Sequence, residues 1–113
     1  MHEFSVTQNI LKVALKHAEQ AKAERILHIN LNLGQFSDER EESIQFYWEE
    51  LSVGTPAQGA ALHFKRIPAE MKCQDCGHSF FPVDEASECP ACLSHRIRLI
   101  SGDDVKLESI DVE

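Results

Sequence analysis

Nowhere in the chain do the roughly 18 uninterrupted apolar residues of a membrane-spanning helix occur, so no span is expected. The N-terminus also lacks the basic-then-apolar pattern of a secretory signal, and the sequence reads as cytoplasmic. Positive charge is scarce: 11 Lys and Arg stand against 19 Asp and Glu, a net charge of -8. Affinity for nucleic acid comes mainly from clustered Lys and Arg releasing counterions, so nucleic acid is not an expected partner. Acidic proteins of this kind more often meet other proteins, small molecules or cations. No glycine-rich phosphate loop and no nucleophile paired with a base is evident, so an enzyme is not expected. There is no low-complexity tract, and the paired cysteine motifs are the sole repeat. Cysteine is missing everywhere except Cys73, Cys76, Cys89 and Cys92. In a chain with no secretory signal, that clustering points to a metal or a redox pair rather than to structural disulfides.

What is present fits one modest core of 113 residues with an appended module. Ser5 and Gln8 have the spacing of a capping box, and Val6, Ile10, Val13, Ala14, Ala18 and Ala21 recur at helical intervals, predicting a helix from about Ser5 to Ala23. From Ile26 to Leu33 the period changes to two, with Leu27, Ile29, Leu31 and Leu33 on one side and His28, Asn30 and Asn32 on the other. Gly34 ends this strand. Ser37 is placed to cap a second helix whose first turn holds Asp38, Glu39, Glu41 and Glu42, with Ile44, Tyr47, Trp48 and Leu51 as its apolar stripe. Ala61 to Ile67 reads as a second strand, and the order strand, helix, strand predicts a right-handed crossover with parallel strands. A last strand, Val105 to Val112, returns to the sheet with an expected bulge or edge position between Leu107 and Ile110, where its apolar phase changes.

The fold expected is α+β: two helices packed on a small mixed three-stranded sheet, with an inserted zinc-ribbon-like domain. Residues 1–68 and 104–113 would form the main domain and 69–103 the insert. The insert carries CQDCGHSFFPVDEASECPAC, two C-x-x-C pairs separated by twelve residues. Zinc(II) favours a tetrahedron of soft or borderline ligands, and each C-x-x-C turn offers two thiolates from one tight loop. A redox pair would need a helix N-terminus on a larger α/β scaffold, which neither motif has. Four thiolates close the metal shell, so the zinc is expected to be structural and to supply folding energy. Gly77 follows the first pair where a positive φ is useful, and Leu93 stands at the matching place after the second. His78 and His95 are either exposed loop residues or groups that support or replace the thiolates. His17, His28 and His63 read as surface or satisfied polar residues, and Trp48 and Tyr47 as core.

Met1, His2 and Glu3 admit two readings. They are solvated residues at a frayed end, or they are a metal site. The α-amine, the deprotonated His2 amide and the imidazole can close fused chelate rings around one ion, a near-planar nitrogen set that suits nickel(II) or copper(II) better than zinc.

MHE at the start, GQFS from Gly34 to Ser37, the CQDC and CPAC pairs and the closing VKLESIDVE together resemble the HypA/HybF family of hydrogenase nickel-insertion proteins. The resemblance covers essentially the whole chain. It implies a nickel metallochaperone that delivers nickel(II) to the large subunit of [NiFe] hydrogenase with a partner nickel-handling GTPase, and in some organisms serves urease too. Carried over by residue, His2 is the nickel ligand, with Met1 and backbone nitrogens beside it and Glu3 supporting. Cys73, Cys76, Cys89 and Cys92 are the zinc ligands. The family often has an acidic residue shortly after the Gly34 position that approaches nickel. Here the run reads Asp38, Glu39, Arg40, Glu41, which leaves open which carboxylate, if any, takes part; the run also reads as a solvated first turn matched to the helix dipole. The competing reading is a zinc-ribbon adaptor that joins proteins without moving nickel. Monomer and dimer both remain open, because a module inserted between two strands of one sheet can be exchanged between protomers.

Overall fold

The computed structural model describes residues 2–84 and 88–113, with His2 described by its backbone alone. The elements run α1 (His2–Gln20), β1 (Ile26–Gly34), α2 (Glu41–Leu51), β2 (Ala61–Ile67), β3 (Glu70–Cys73), β4 (Ser79–Phe80), β5 (Ile97–Ser101) and β6 (Val105–Val112). Strands β2, β1 and β6 form one sheet in that order, with β1 parallel to β2 and antiparallel to β6. This is the expected mixed three-stranded sheet. Strands β4, β3 and β5 form a second, wholly antiparallel sheet that carries the first cysteine.

The alternation along β1 decides which face is covered. Ile29, Leu31 and Leu33 are buried, while His28 is exposed and Asn30 and Asn32 are half-buried. Both helices supply the cover: Ile10, Leu11, Ala14 and Ala18 of α1 and Ile44 and Trp48 of α2 join Ile29 and Leu31 in one core cluster. Leu62 and Phe64 of β2 and Leu107 and Ile110 of β6 extend the cluster across the sheet. Trp48 is fully enclosed, and truncating so large a buried side chain typically costs about 3–5 kcal/mol.

Helix α1 departs from expectation at both ends. It begins at His2 rather than Ser5, so Ser5 lies inside the helix, exposed, and forms no capping box there. No Gly, Pro or β-branched residue occurs in His2–Ser5 to stop the helix from extending back. Phe4 then packs edge-on against Tyr47 with ring centres 5.3 Å apart, which anchors the extra turn on α2. The buried stripe is rotated as well: Thr7 and Leu11 are inside and Ala21 is exposed. Buried Thr7 satisfies its hydroxyl by donating to the Glu3 carbonyl at 2.5 Å. At the other end Lys22 takes φ 56°, Lys22 N–H bonds the Glu19 carbonyl and Ala23 N–H bonds the Ala18 carbonyl. That is the Schellman arrangement, and it ends the helix at Gln20 instead of Ala23.

Ser37 does not cap α2. Its hydroxyl accepts from the Glu39 amide at 3.1 Å and donates to the Glu39 carboxylate at 2.6 Å, closing a local turn. The helix therefore starts at Glu41, with Arg40 at the N-cap making no side-chain cap bond. Glu41 and Glu42 remain in the first turn, and Asp38 and Glu39 lie before it. Arg66 at the end of β2 donates to Glu41 at 3.0 Å. The bulge on β6 falls in the expected interval: Asn30 pairs with Ser109 but Leu31 with Leu107, which leaves Glu108 as the extra residue.

The two sheets meet at a tight seam. A Cβ on Gly34 would lie 2.4 Å from the Gly102 carbonyl carbon, and one on Gly102 would lie 2.4 Å from the Ala69 Cα. Backbone bonds run Gly34 N–H to Asp104, Gln35 N–H to Ile67 and Phe36 N–H to Gly102. Gln35 bridges further, accepting from the Ala69 amide at 2.8 Å and donating to the Pro82 and Val83 carbonyls at 3.3 and 3.2 Å. Among the described residues no helix is long and apolar enough to cross a membrane.

Candidate metal centres

The four cysteines converge. Their sulfurs all lie within 4.8 Å of one another, with Cys73 to Cys92 and Cys76 to Cys89 each at 3.6 Å. A tetrahedral Zn(II) with Zn–S bonds of about 2.3 Å requires edges of about 3.8 Å, so this donor set fits the ion. Two turns of the same design present the sulfurs. In the first, Cys73 N–H bonds the His78 carbonyl and Gly77 N–H bonds the Cys73 carbonyl. In the second, Cys89 N–H bonds the Ser94 carbonyl and Leu93 N–H bonds the Cys89 carbonyl. Gly77 has φ 79° and Leu93 φ 63°, so the leucine adopts the left-handed conformation that its partner turn gives to glycine. The turns are tied together by Asp75, whose carboxylate accepts from the Ser94 hydroxyl and from Arg96 Nη1 at 2.7 Å.

The electrostatics match a cation. The Cys76 amide donates to the Cys73 sulfur at 3.4 Å and, against the opposing effect of burial, draws its pKa down to about 6 together with the Asp75 amide at 3.4 Å and the Cys92 and Cys76 thiols. The Ser94 amide lowers Cys92, but contact with the Cys73 sulfur and with the other thiols outweighs it and pushes Cys92 up to about 12. Cys76 is raised too: the His78 amide lowers it, while burial and the Cys89 and Cys73 sulfurs prevail. Thiolates this close repel each other, and a dication is what allows all four to ionise together. Four protein ligands leave no open position on such an ion.

Neither nearby histidine ring is drawn to the sulfurs. His78 stacks on Phe80 with centroids 6.2 Å apart, and His95 Nε2 lies 3.5 Å from Glu88. At the N-terminus, Met1 lies outside the described residues, as does the side chain of His2, whose backbone opens α1. Glu3 is half-buried in the same first turn. Of the acidic run, Glu41 pairs with Arg66 and Glu39 with Ser37. His28 and His63, read as surface or satisfied polar residues, are both exposed and hydrogen-bonded to each other: His28 Nδ1 and His63 Nε2 are 2.9 Å apart. No periodicity announces that pair; only the parallel register of β1 and β2, which sets Asn30 beside His63 and His28 beside Ala61, creates it.

Two helices on a mixed sheet, joined to a second small sheet with a closed four-cysteine site, define an α+β protein built to carry metal. The chain belongs to the HypA family, whose model, described as hydrogenase/urease nickel incorporation, metallochaperone, matches residues 1–112. The hydrogenase maturation factor HypA of Dehalococcoides mccartyi is 42% identical over 113 residues, covering all of this chain and 95% of that protein. The HypA factor of Geobacter sulfurreducens is 35% identical over 114 residues, with both chains covered in full. The solution structure of the Ni metallochaperone HypA from Helicobacter pylori has the same fold, at TM-score 0.74 and 22% identity, over 97% of this chain and 96% of that one.

Proposed function

We propose that this protein is a non-enzymatic nickel carrier of the cytoplasm that loads nickel(II) at its N-terminus and passes it on during maturation of [NiFe] hydrogenase, or of urease. The carrying observation is the family match, which begins at residue 1 and so includes the MHE segment. The ligands are the α-amine of Met1, the amide and imidazole nitrogens of His2, and Glu3 in support. Helix α1 favours this arrangement. Its first amides have no carbonyl within the helix to bond, so giving up the His2 amide proton to a metal breaks no helical hydrogen bond. The positive end of the helix dipole also favours an anionic amide and a carboxylate. The packing of Phe4 on Tyr47 holds that turn against α2.

Cys73, Cys76, Cys89 and Cys92 hold a structural zinc that fixes the fold of residues 69–103, and residues 1–68 with 104–113 form the nickel domain. A nickel-handling GTPase and the hydrogenase large subunit are the partners, and nickel passes by ligand exchange from a planar, labile, terminal site. The test is nickel titration of three forms: native, His2→Ala, and a form with one residue added before Met1. Both altered forms should lose the site while zinc content stays constant. Equal nickel binding by native and His2→Ala protein would defeat the proposal.

A further inference from the structure

We propose that His28 and His63 form a second, surface-exposed site for a divalent transition-metal ion of the nickel(II) or copper(II) type, on the sheet face opposite the helices. The two ring nitrogens share a hydrogen bond at 2.9 Å and both residues are exposed, so an ion reaches them from solvent and binds by displacing the shared proton. At metal–imidazole bonds of about 2.05 Å, two nitrogens in adjacent corners of a square or octahedron lie about 2.9 Å apart, whereas a tetrahedral ion separates them by about 3.3 Å. Once the shared proton is displaced, an ion with a square-planar or octahedral preference spans the pair with the least movement of the rings. The rings are tilted by 39° with centroids 5.0 Å apart.

The backbone holds this geometry without help from a loop. Both histidines sit inside strands, in a parallel pairing that starts at His28 with Ala61 and runs on to Gly34 with Ile67. The flanking strand adds charge. Asp111 stands opposite His28 in the β1–β6 register and accepts weakly from Asn30 Nδ2 at 3.5 Å, while the same amide donates to Ser109 at 3.0 Å. Asn30 in turn lies beside His63. Among the described residues no third His, Cys, Asp or Glu converges with the pair, so water fills the other coordination positions and Asp111 acts as a nearby negative charge. Such a site is weaker than the cysteine module and exchanges its ion freely.

The site is independent of the terminal one, and its test is done on zinc-loaded full-length protein carrying His2→Ala. Nickel(II) chloride alone is added while the imidazole resonances are followed by ¹H–¹⁵N correlation. Broadening that begins at His28 and His63, before His17, His78 or His95, is the expected result. It should vanish on His63→Ala and weaken on Asp111→Asn, with zinc content unchanged. Silence at His28 and His63, or broadening no earlier there than at His17, overturns the site, as does persistence in His63→Ala. Zinc(II) added in place of nickel should perturb the pair less; an equal or larger effect overturns the assignment of metal type.

Discussion

Gly102 is where a single methyl group does most damage to the seam between the sheets. It has φ 102°, a conformation that side-chain-bearing residues rarely adopt, and forcing alanine into it costs about 1–3 kcal/mol. The added Cβ would also lie 2.4 Å from the Ala69 Cα, 2.8 Å from its Cβ and 3.0 Å from its nitrogen. Ala69 has no solvent to retreat into, being fully buried, and its amide is already bound to Gln35. Overpacking of this kind adds about 1–3 kcal/mol. Gly102→Ala should thus destabilise by about 2–6 kcal/mol. Gly59→Ala is the internal control: φ is 83° there too, but nothing lies within 4 Å of the new atom, so only the backbone cost applies. Urea unfolding of the two zinc-loaded variants, with slopes compared as well as midpoints, separates the two costs. If Gly102→Ala and Gly59→Ala lose the same stability to within about 0.5 kcal/mol, the seam is not close-packed as described and the reasoning fails.

Three further outcomes follow from named contacts. Gln35→Ala removes the only side chain joining Ala69 to Pro82 and Val83 through hydrogen bonds among the described residues, and leaves the Ala69 amide unpaired. A loss of about 1–3 kcal/mol is expected, with accelerated amide exchange at Ala69. Leu93→Gly relieves a left-handed leucine that is 64% exposed, while the added freedom of glycine in the unfolded chain offsets part of the gain, so stability of the cysteine module should rise by up to about 1 kcal/mol, read as slower zinc loss to a chelator. Removing zinc should abolish the amide protection of β3 and β5 while α1 and β1, whose core uses none of the cysteines, keep theirs.

The period-two stretch from Ile26, the phase change in β6 and the two C-x-x-C pairs were legible in the sequence because each rests on local chemistry: alternation across a pleat, a residue too many in a strand, two thiolates on one turn. The order strand, helix, strand was enough to predict the parallel pairing of β1 and β2. Helix ends were less legible. Ser5 and Ser37 both have good capping chemistry, yet Phe4 on Tyr47 extends one helix past the first serine, and Glu39 claims the hydroxyl of the second.

Other features depended on residues far apart in the chain. GQFS looks like a helix entry, but Gln35 works as a bridge to residues 34 and more positions away. Gly34 and Gly102 become close-packed only when the β5–β6 turn folds over the end of β1. His28 and His63 are 35 positions apart and each is unremarkable alone. The sequence by itself determined the family, the alternating core face and which four thiols converge, since these depend on residue type and short spacing. Tertiary structure alone decided the seam and the imidazole pair, because a distance of 2.9 Å between side chains on two strands is a property of their register, which no stretch of one strand contains.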